Sequence, residues 1–242
     1  MSTFLLVHGA WHRGECWQRV VPLLESAGHR VLAPSLTGYG DKAHLLSPDV
    51  GLDTHVDDIA ALLEDERDVV LVGHSYAGLV ISSVANRLPD RVAHLVYLDA
   101  MVPEDGETAA DVMPITKELI DLAVDGWRVP PLPEGPGGLF GVTDPGDISW
   151  LRSMLSDQPV RCLQQPVRLD NPAANAIPRT HIHCVGGEKP AGITRRPVPP
   201  LQPNGSPSRV RELPTGHDCM ITMPAELAAL LLDPEVRTST RT

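Results

Sequence analysis

The chain has 242 residues, the length of one large domain or two small ones. With 42% apolar and 21% charged residues it has the balance of a globular protein that builds its own core, so no disulfide or metal staple is required. Twenty basic against 31 acidic residues give a net charge of −11; such a field repels phosphate backbones and anionic lipid, and neither nucleic acid nor a membrane surface is an expected partner.

In chain order, Met1-Ser2-Thr3 leads into the apolar run Phe4–Val7 without a basic segment before it. That run is too short for a secretory signal, and no stretch reaches the ~18 apolar residues of a membrane-spanning helix. Phe4–Val7 reads as a buried strand, 17–27 as a helix stopped at Gly28, and 30–33 as a second strand. Thr54-His55-Val56-Asp57 has capping-box form, and Val56, Ile59, Ala60 and Leu63 then share a helical face. Strand 69–72, a helix over 76–88 halted by Pro89, and strand 92–98 follow. Alternation of this kind predicts a mostly parallel sheet with helices on both faces.

The alternation breaks at Pro103 and resumes near 179, with strands over 181–185 and around 210–213 and a last helix over 224–232. The expected organisation is an α/β core over 1–102 and 179–233, an inserted lid over 103–178, and a frayed tail over 234–242. Cys16, Cys162, Cys184 and Cys219 show no C-x-x-C spacing and read as reduced, mostly buried thiols of a cytoplasmic protein.

Gly73-His74-Ser75-Tyr76-Ala77 lies between a predicted strand and a predicted helix, and fits G-x-S-x-G with alanine last. A nucleophile elbow needs small residues on either side of the serine because the turn is tight. The elbow puts Ser75 Oγ at the carboxyl edge of the sheet and aims the Tyr76 N–H at a developing oxyanion. The loop His8-Gly9-Ala10-Trp11 after the first strand offers a second donor, the N–H of Ala10.

If the order is serine, acid, histidine, the base comes late among the ten histidines. His217, in Pro214-Thr215-Gly216-His217-Asp218, fits between the last strand and the last helix. His181 and His183 share a strand face but lack a third ligand, so no metal is expected. His94 reads as a strand residue; His29, His44 and His55 read as solvated surface.

These segments resemble the α/β-hydrolase superfamily and, within it, the plant methylesterase and hydroxynitrile-lyase family with its bacterial esterase relatives. The resemblance rests on Leu6–His12, Pro22–His29, Gly73-His74-Ser75, Tyr97–Pro103 and Gly216-His217-Asp218. It implies the α/β-hydrolase fold and ester hydrolysis, with Ser75 as nucleophile and His217 as base. The family's lyases depend on a lysine after the catalytic histidine and a threonine in the oxyanion loop. Those places here hold Asp218 and Ala10 or Trp11, which argues for hydrolysis.

The family's acid is an aspartate just after the strand equivalent to 181–185, and this chain has none there. Glu188 is the nearest carboxyl and the first choice for the acid, with Asp99 at the end of strand 92–98 as the alternative. A third option is that no acid completes the site. Beyond Glu188 the family has a helix, whereas Pro190, Pro197, Pro199, Pro200, Pro203 and Pro207 forbid one here. Trp11 and His12 near the oxyanion loop, and Trp127 and Trp150 in the lid, are the expected lining for a small apolar or aromatic substrate. The chemistry needs no cofactor. A binding or receptor-like module, or a lyase or cyclase using His217 as base, are the competing readings; the oligomeric state, a homodimer among the options, is left open.

Overall fold

The structure, a computed structural model, describes residues 1–187 and 192–237. The elements run β1 (Thr3–Val7), α1 (Val21–Ser26), β2 (Arg30–Leu32), α2 (Leu52–Leu63), β3 (Val69–His74), α3 (Ala77–Arg87) and β4 (Val92–Leu98). Later in the chain come β7 (Arg179–Cys184), β8 (Arg209–Leu213), α8 (Cys219–Thr222), α9 (Pro224–Leu231) and α10 (Pro234–Arg237). The segment between β4 and β7 holds α4 (Ala109–Val112), α5 (Thr116–Asp121), β5 (Arg128–Val129), α6 (Pro145–Met154), β6 (Gln158–Pro159) and α7 (Val160–Gln164).

Six strands form one sheet in the order β2-β1-β3-β4-β7-β8, every neighbouring pair parallel. The central strands are apolar throughout because both faces are covered. The two-residue period of a strand then divides their side chains between two cores. Leu5, Val7, Leu71, Leu95 and Tyr97 face α2 and α3, while Phe4, Leu6, Val72, Val96 and Leu98 face Leu24 of α1 and Leu227 of α9.

Several boundaries differ from the sequence reading. The 17–27 helix is a 3-10 turn, Gly14–Trp17, followed by α1, since Pro22 lacks an N–H and is tolerated only in a first turn. Helix α2 starts earlier than expected: Gly51 is its N-cap, and Thr54 Oγ1 accepts the Gly51 N–H at 3.2 Å. His55, expected at the surface, is buried on that helix; its Nε2–H donates to the Thr37 carbonyl and Nδ1 accepts the Tyr76 hydroxyl. His29 is buried as well, against Phe4. The tail is not frayed from 234: α10 seats Val236 in the second core, and Glu235 accepts Arg211 at 2.9 Å. Residues 238–242 lie outside the described residues.

The segment between β4 and β7 is divided between the two cores. Ala109, Val129, Val160 and Leu163 join the core under α2 and α3, whereas Leu139, Val142, Leu151 and Met154 join the other. The Pro-rich connection between β7 and β8 forms no helix among its described residues, as its prolines require. All four cysteines are buried free thiols, and no described helix is long and apolar enough to cross a membrane.

Candidate active site

In the order β2-β1-β3-β4, the chain leaves β1 toward β2 and leaves β3 toward β4, in opposite directions, so the loops after β1 and β3 part at a crevice above the carboxyl ends. The register lines those ends up. Val7 pairs with Gly73, His74 with Leu98, Leu98 with Ile182, and Cys184 with Leu213. Ser75, Asp99 and the loops carrying Ala10 and His217 therefore emerge at one edge.

Ser75 sits at φ +56°, the left-handed region that a sharp strand-to-helix turn imposes on the residue at its apex. Its N–H donates to the Leu98 carbonyl at 3.2 Å, and its own carbonyl accepts from Gly78 at 3.1 Å and Met101 at 3.0 Å. A Cβ on Gly73 would lie 2.8 Å from the Ala77 carbonyl oxygen, which is why the position before the elbow is glycine. Trp11, Asp99 and Phe140 also have positive φ, at 66°, 42° and 53°. Such backbone costs about 1–3 kcal/mol per residue, and around this edge four residues carry it.

The loop after β1 presses on the elbow: a Cβ on Gly9 would stand 2.8 Å from Ser75 Cβ and 3.2 Å from the His74 carbonyl oxygen. Ala10 follows directly. Among the described residues, neither the Ala10 nor the Tyr76 amide has a protein acceptor. His8 is wholly buried, with Nδ1–H donating to the Gly9 carbonyl and Nε2 accepting from Leu36 N–H. Burial pushes its pKa down to about 3, so it holds the loop as a neutral ring.

His217 Nδ1–H donates to Asp99 Oδ2 at 2.7 Å, which fixes the tautomer and leaves Nε2 for the substrate side. The carboxylate bonded to His217 is thus that of Asp99, the alternative to Glu188 in the sequence reading. The physical reason is positional: the end of β4 lies beside both β3 and β7, so a residue one step past β4 reaches the histidine loop without an extra methylene. Glu188 itself lies outside the described residues. Asp99 Oδ1 accepts the Cys184 N–H at 3.2 Å and a guanidinium N–H of Arg195.

Two further histidines support this pair. His74 Nε2–H donates to the His217 carbonyl at 3.1 Å, with the ring centroids 4.4 Å apart. Burial, reinforced by neighbouring His217, pushes the His74 pKa down to about 3. His12 Nδ1–H donates to the Ala10 carbonyl at 2.7 Å, and Nε2–H to Asp218 Oδ2 at 2.9 Å. Burial opposes charge on both His12 and Asp218, but their mutual attraction outweighs it: the imidazolium is raised above its usual range and the carboxyl is held below its own.

His12, with both ring nitrogens engaged and its side chain buried, braces the loop that carries Ala10. Trp11 lies beside Phe140 at 5.7 Å and donates its indole N–H to the Val129 carbonyl at 2.9 Å. Trp127 and Trp150 are half-buried under Arg128 and Arg19, at 5.3 and 5.2 Å. Trp150 packs on the second core, and among the described residues neither ring makes an aromatic contact with the site. Phe140 does: its ring is 6.3 Å from that of His217, and its carbonyl accepts the Asp218 N–H at 3.0 Å. No sequence signal linked Arg195 to Asp99, and Asp218 entered only as the residue after His217, where the family's lyases carry a lysine.

One His-rich trio has metal-like proximity: His74, His217 and Asp218 each offer an atom within 4.8 Å of the others. Three of its atoms are engaged, His74 Nε2 with the His217 carbonyl, His217 Nδ1 with Asp99 and Asp218 Oδ2 with His12, while among the described residues His74 Nδ1 and Asp218 Oδ1 have no hydrogen-bond partner. The paired His181 and His183 are no better, since His181 stacks on Tyr97 at 5.2 Å.

A family model described as "Alpha/beta hydrolase family" matches residues 4–230. The carbendazim hydrolyzing esterase of Nocardioides sp. (strain SG-4G) is 37% identical over 244 residues, covering 96% of this chain and 98% of the relative. A pyrethroid hydrolase from Sphingobium faniae JZ-2 has a similar solved structure, with 26% identity over 97% of each chain and a TM-score of 0.70. An extracellular alpha/beta-hydrolase from a Paenibacillus species shares the fold at a TM-score of 0.77, covering 96% of this chain and 98% of that one at 23% identity.

Proposed function

Since the chain belongs to the alpha/beta hydrolase family, we propose that it is a carboxylic ester hydrolase working through an acyl-enzyme on Ser75. The observation that carries this reading is the 2.7 Å bond from His217 Nδ1–H to Asp99, at the edge where Ser75 ends the elbow. With Nδ1 committed, Nε2 takes the proton of Ser75 Oγ as the oxygen attacks the ester carbonyl. The N–H groups of Ala10 and Tyr76 receive the oxyanion, a contribution of about 10²–10³ in rate per donor in comparable sites. His217 then protonates the leaving alcohol, water attacks the acyl-enzyme with His217 again as base, and the carboxylic acid departs.

The substrate we infer is an ester of a small apolar or aromatic acid, in keeping with the carbendazim esterase and pyrethroid hydrolase relatives and with Trp11 and Phe140 beside the histidine loop. The chemistry draws on one chain and no cofactor. Four buried free thiols accord with a reducing compartment, and we place the protein in the cytoplasm.

The test is labelling with a serine-directed aryl phosphonate, read by mass spectrometry of the Ser75 peptide, beside turnover of a short aryl ester. Stoichiometric labelling with release of alcohol and acid is expected, both lost in Ser75→Ala. A folded protein that neither labels nor turns over would leave a binding module; labelling without ester cleavage would point to lyase chemistry.

A further inference from the structure

The two oxygens of Asp99 face different partners. Oδ2 faces His217, whereas Oδ1 accepts from Arg195 Nη2 and from the Cys184 N–H at 3.2 Å. The same Nη2 donates to the Cys184 carbonyl at 3.3 Å, which ties the guanidinium to the end of β7. Asp99 is 8% and Arg195 30% exposed, so the carboxylate is nearly dry and the cation half-covered. Arg195 comes from the Pro-rich connection between β7 and β8. The neighbouring Arg196 turns elsewhere, onto Glu107 at 2.7 and 2.9 Å.

We propose that Arg195 is a positioning residue for the base: it holds Oδ1 of Asp99, presents Oδ2 to His217 Nδ1, and sets the pH range over which His217 accepts the Ser75 proton. This rests on the reading of Ser75, His217 and Asp99 as the catalytic set.

Two effects follow from the geometry. A carboxylate bonded through one oxygen can rotate about its last bond; a guanidinium and a backbone N–H on the other oxygen stop that rotation. The guanidinium also opposes a second cation on the same carboxylate. Removing its charge must therefore move the acid limb of kcat/KM upward.

The other groups facing His217 do not supply this effect. His74 is kept neutral by burial, with a pKa of about 3. The Cys219 thiol is pushed well above its ordinary range by burial, and Asp218 is offset by His12. The Cys184 thiol donates to the His217 carbonyl at 3.8 Å. Glu188 and Lys189 lie outside the described residues, so Lys189 is tested directly.

The experiment is the pH profile of kcat/KM on an aryl ester. Arg195→Gln and Arg195→Met are made together, and whichever is folded by circular dichroism is read. We expect the acid limb to rise by about 0.5–1 pH unit, the lower part of the range for a neighbouring charge because the guanidinium is partly solvated. The rate at the optimum should fall about 3- to 30-fold from lost orientation. Arg195→Lys should keep the limb and recover part of the rate, while Arg196→Gln and Lys189→Met should change neither. A limb that stays in place in the folded variant, or one that moves in Lys189→Met instead, overturns the proposal. Asp99→Asn separates the two levels: a loss of about 100-fold or more there, with Arg195 variants like wild type, sinks only the role of Arg195. A near-normal Asp99→Asn removes the catalytic set and this inference with it.

Discussion

His12 and Asp218 form an ion pair at 2.9 Å with side chains only 2% and 0% exposed, and it joins the loop of Ala10 to the residue after His217. Breaking a buried pair from one side strands a charge. Asp218→Asn or His12→Gln should therefore cost about 3–5 kcal/mol, read as a lowered urea midpoint, and the double variant should cost less than the sum. Additive losses would mean that the two groups do not interact in solution. The pH dependence of the pair has two signs. The raised His12 contributes fully below its unfolded value of 6.5 and loses that contribution as pH rises through its folded value. The lowered Asp218 contributes above its unfolded 3.8 and loses it as pH falls through its folded value, so the pair is at full strength between about pH 4 and 6.5.

Five other buried histidines pull the opposite way from His12. His8, His74 and His94 are pushed to about 3, and His55 and His181 to about 4, in every case first by burial. Each is depressed, so its stability is present above 6.5 and lost as pH falls through the folded value. Unfolding at about pH 5 should take up close to five protons from these rings, measured from the slope of unfolding free energy against pH. A slope under about two protons would show the rings to be solvated.

The acid is testable by ranking. Asp99→Asn should lower kcat by about 10²–10⁴-fold, because an amide at this bond no longer stabilises the imidazolium or selects its tautomer. Glu188→Gln should change it less than about threefold. The opposite ranking would return the acid to the loop after β7.

Ser75 and His217 should behave as a unit. Each alanine variant alone should lose about three or more powers of ten in kcat, and the double variant scarcely more. Losses that multiply would place the chemistry outside this pair.

Gly9→Ala tests the oxyanion loop without touching a polar group. The added Cβ would stand 2.8 Å from Ser75 Cβ, and the elbow cannot retreat because its backbone is bonded to Leu98, Gly78 and Met101. The loop must move instead, and kcat should drop by about 10-fold or more with KM changed less, since the donor acts on the transition state. Unchanged kcat would show that Ala10 N–H is not a donor to the oxyanion.

What the sequence by itself determined is local or periodic. Apolar runs between helical patterns specify a covered parallel sheet, small residues around Ser75 specify the elbow, and a Gly-His after the last strand marks the loop of His217. Each is a property of neighbours along the chain, and Ser75 and His217 both stand at the carboxyl edge of the sheet. Boundaries slipped where one residue governs them, as at Pro22 in α1 and Gly51 before α2.

Only the tertiary structure decided which acid meets His217, because that needs one carboxylate at bonding distance from Nδ1 and two loops could have carried it. The strand order put β4 between β3 and β7, and so gave the contact to Asp99. The same holds for His12 with Asp218, 206 positions apart in sequence, and for Arg195 with Asp99, 96 apart. Charge pairs over such separations leave no periodic trace, since any surface acid could in principle partner any base. Burial is the remaining distinction: His55 sits among charged residues in the sequence, yet the fold turns it onto the inner face of α2, where desolvation keeps it neutral at a pKa of about 4.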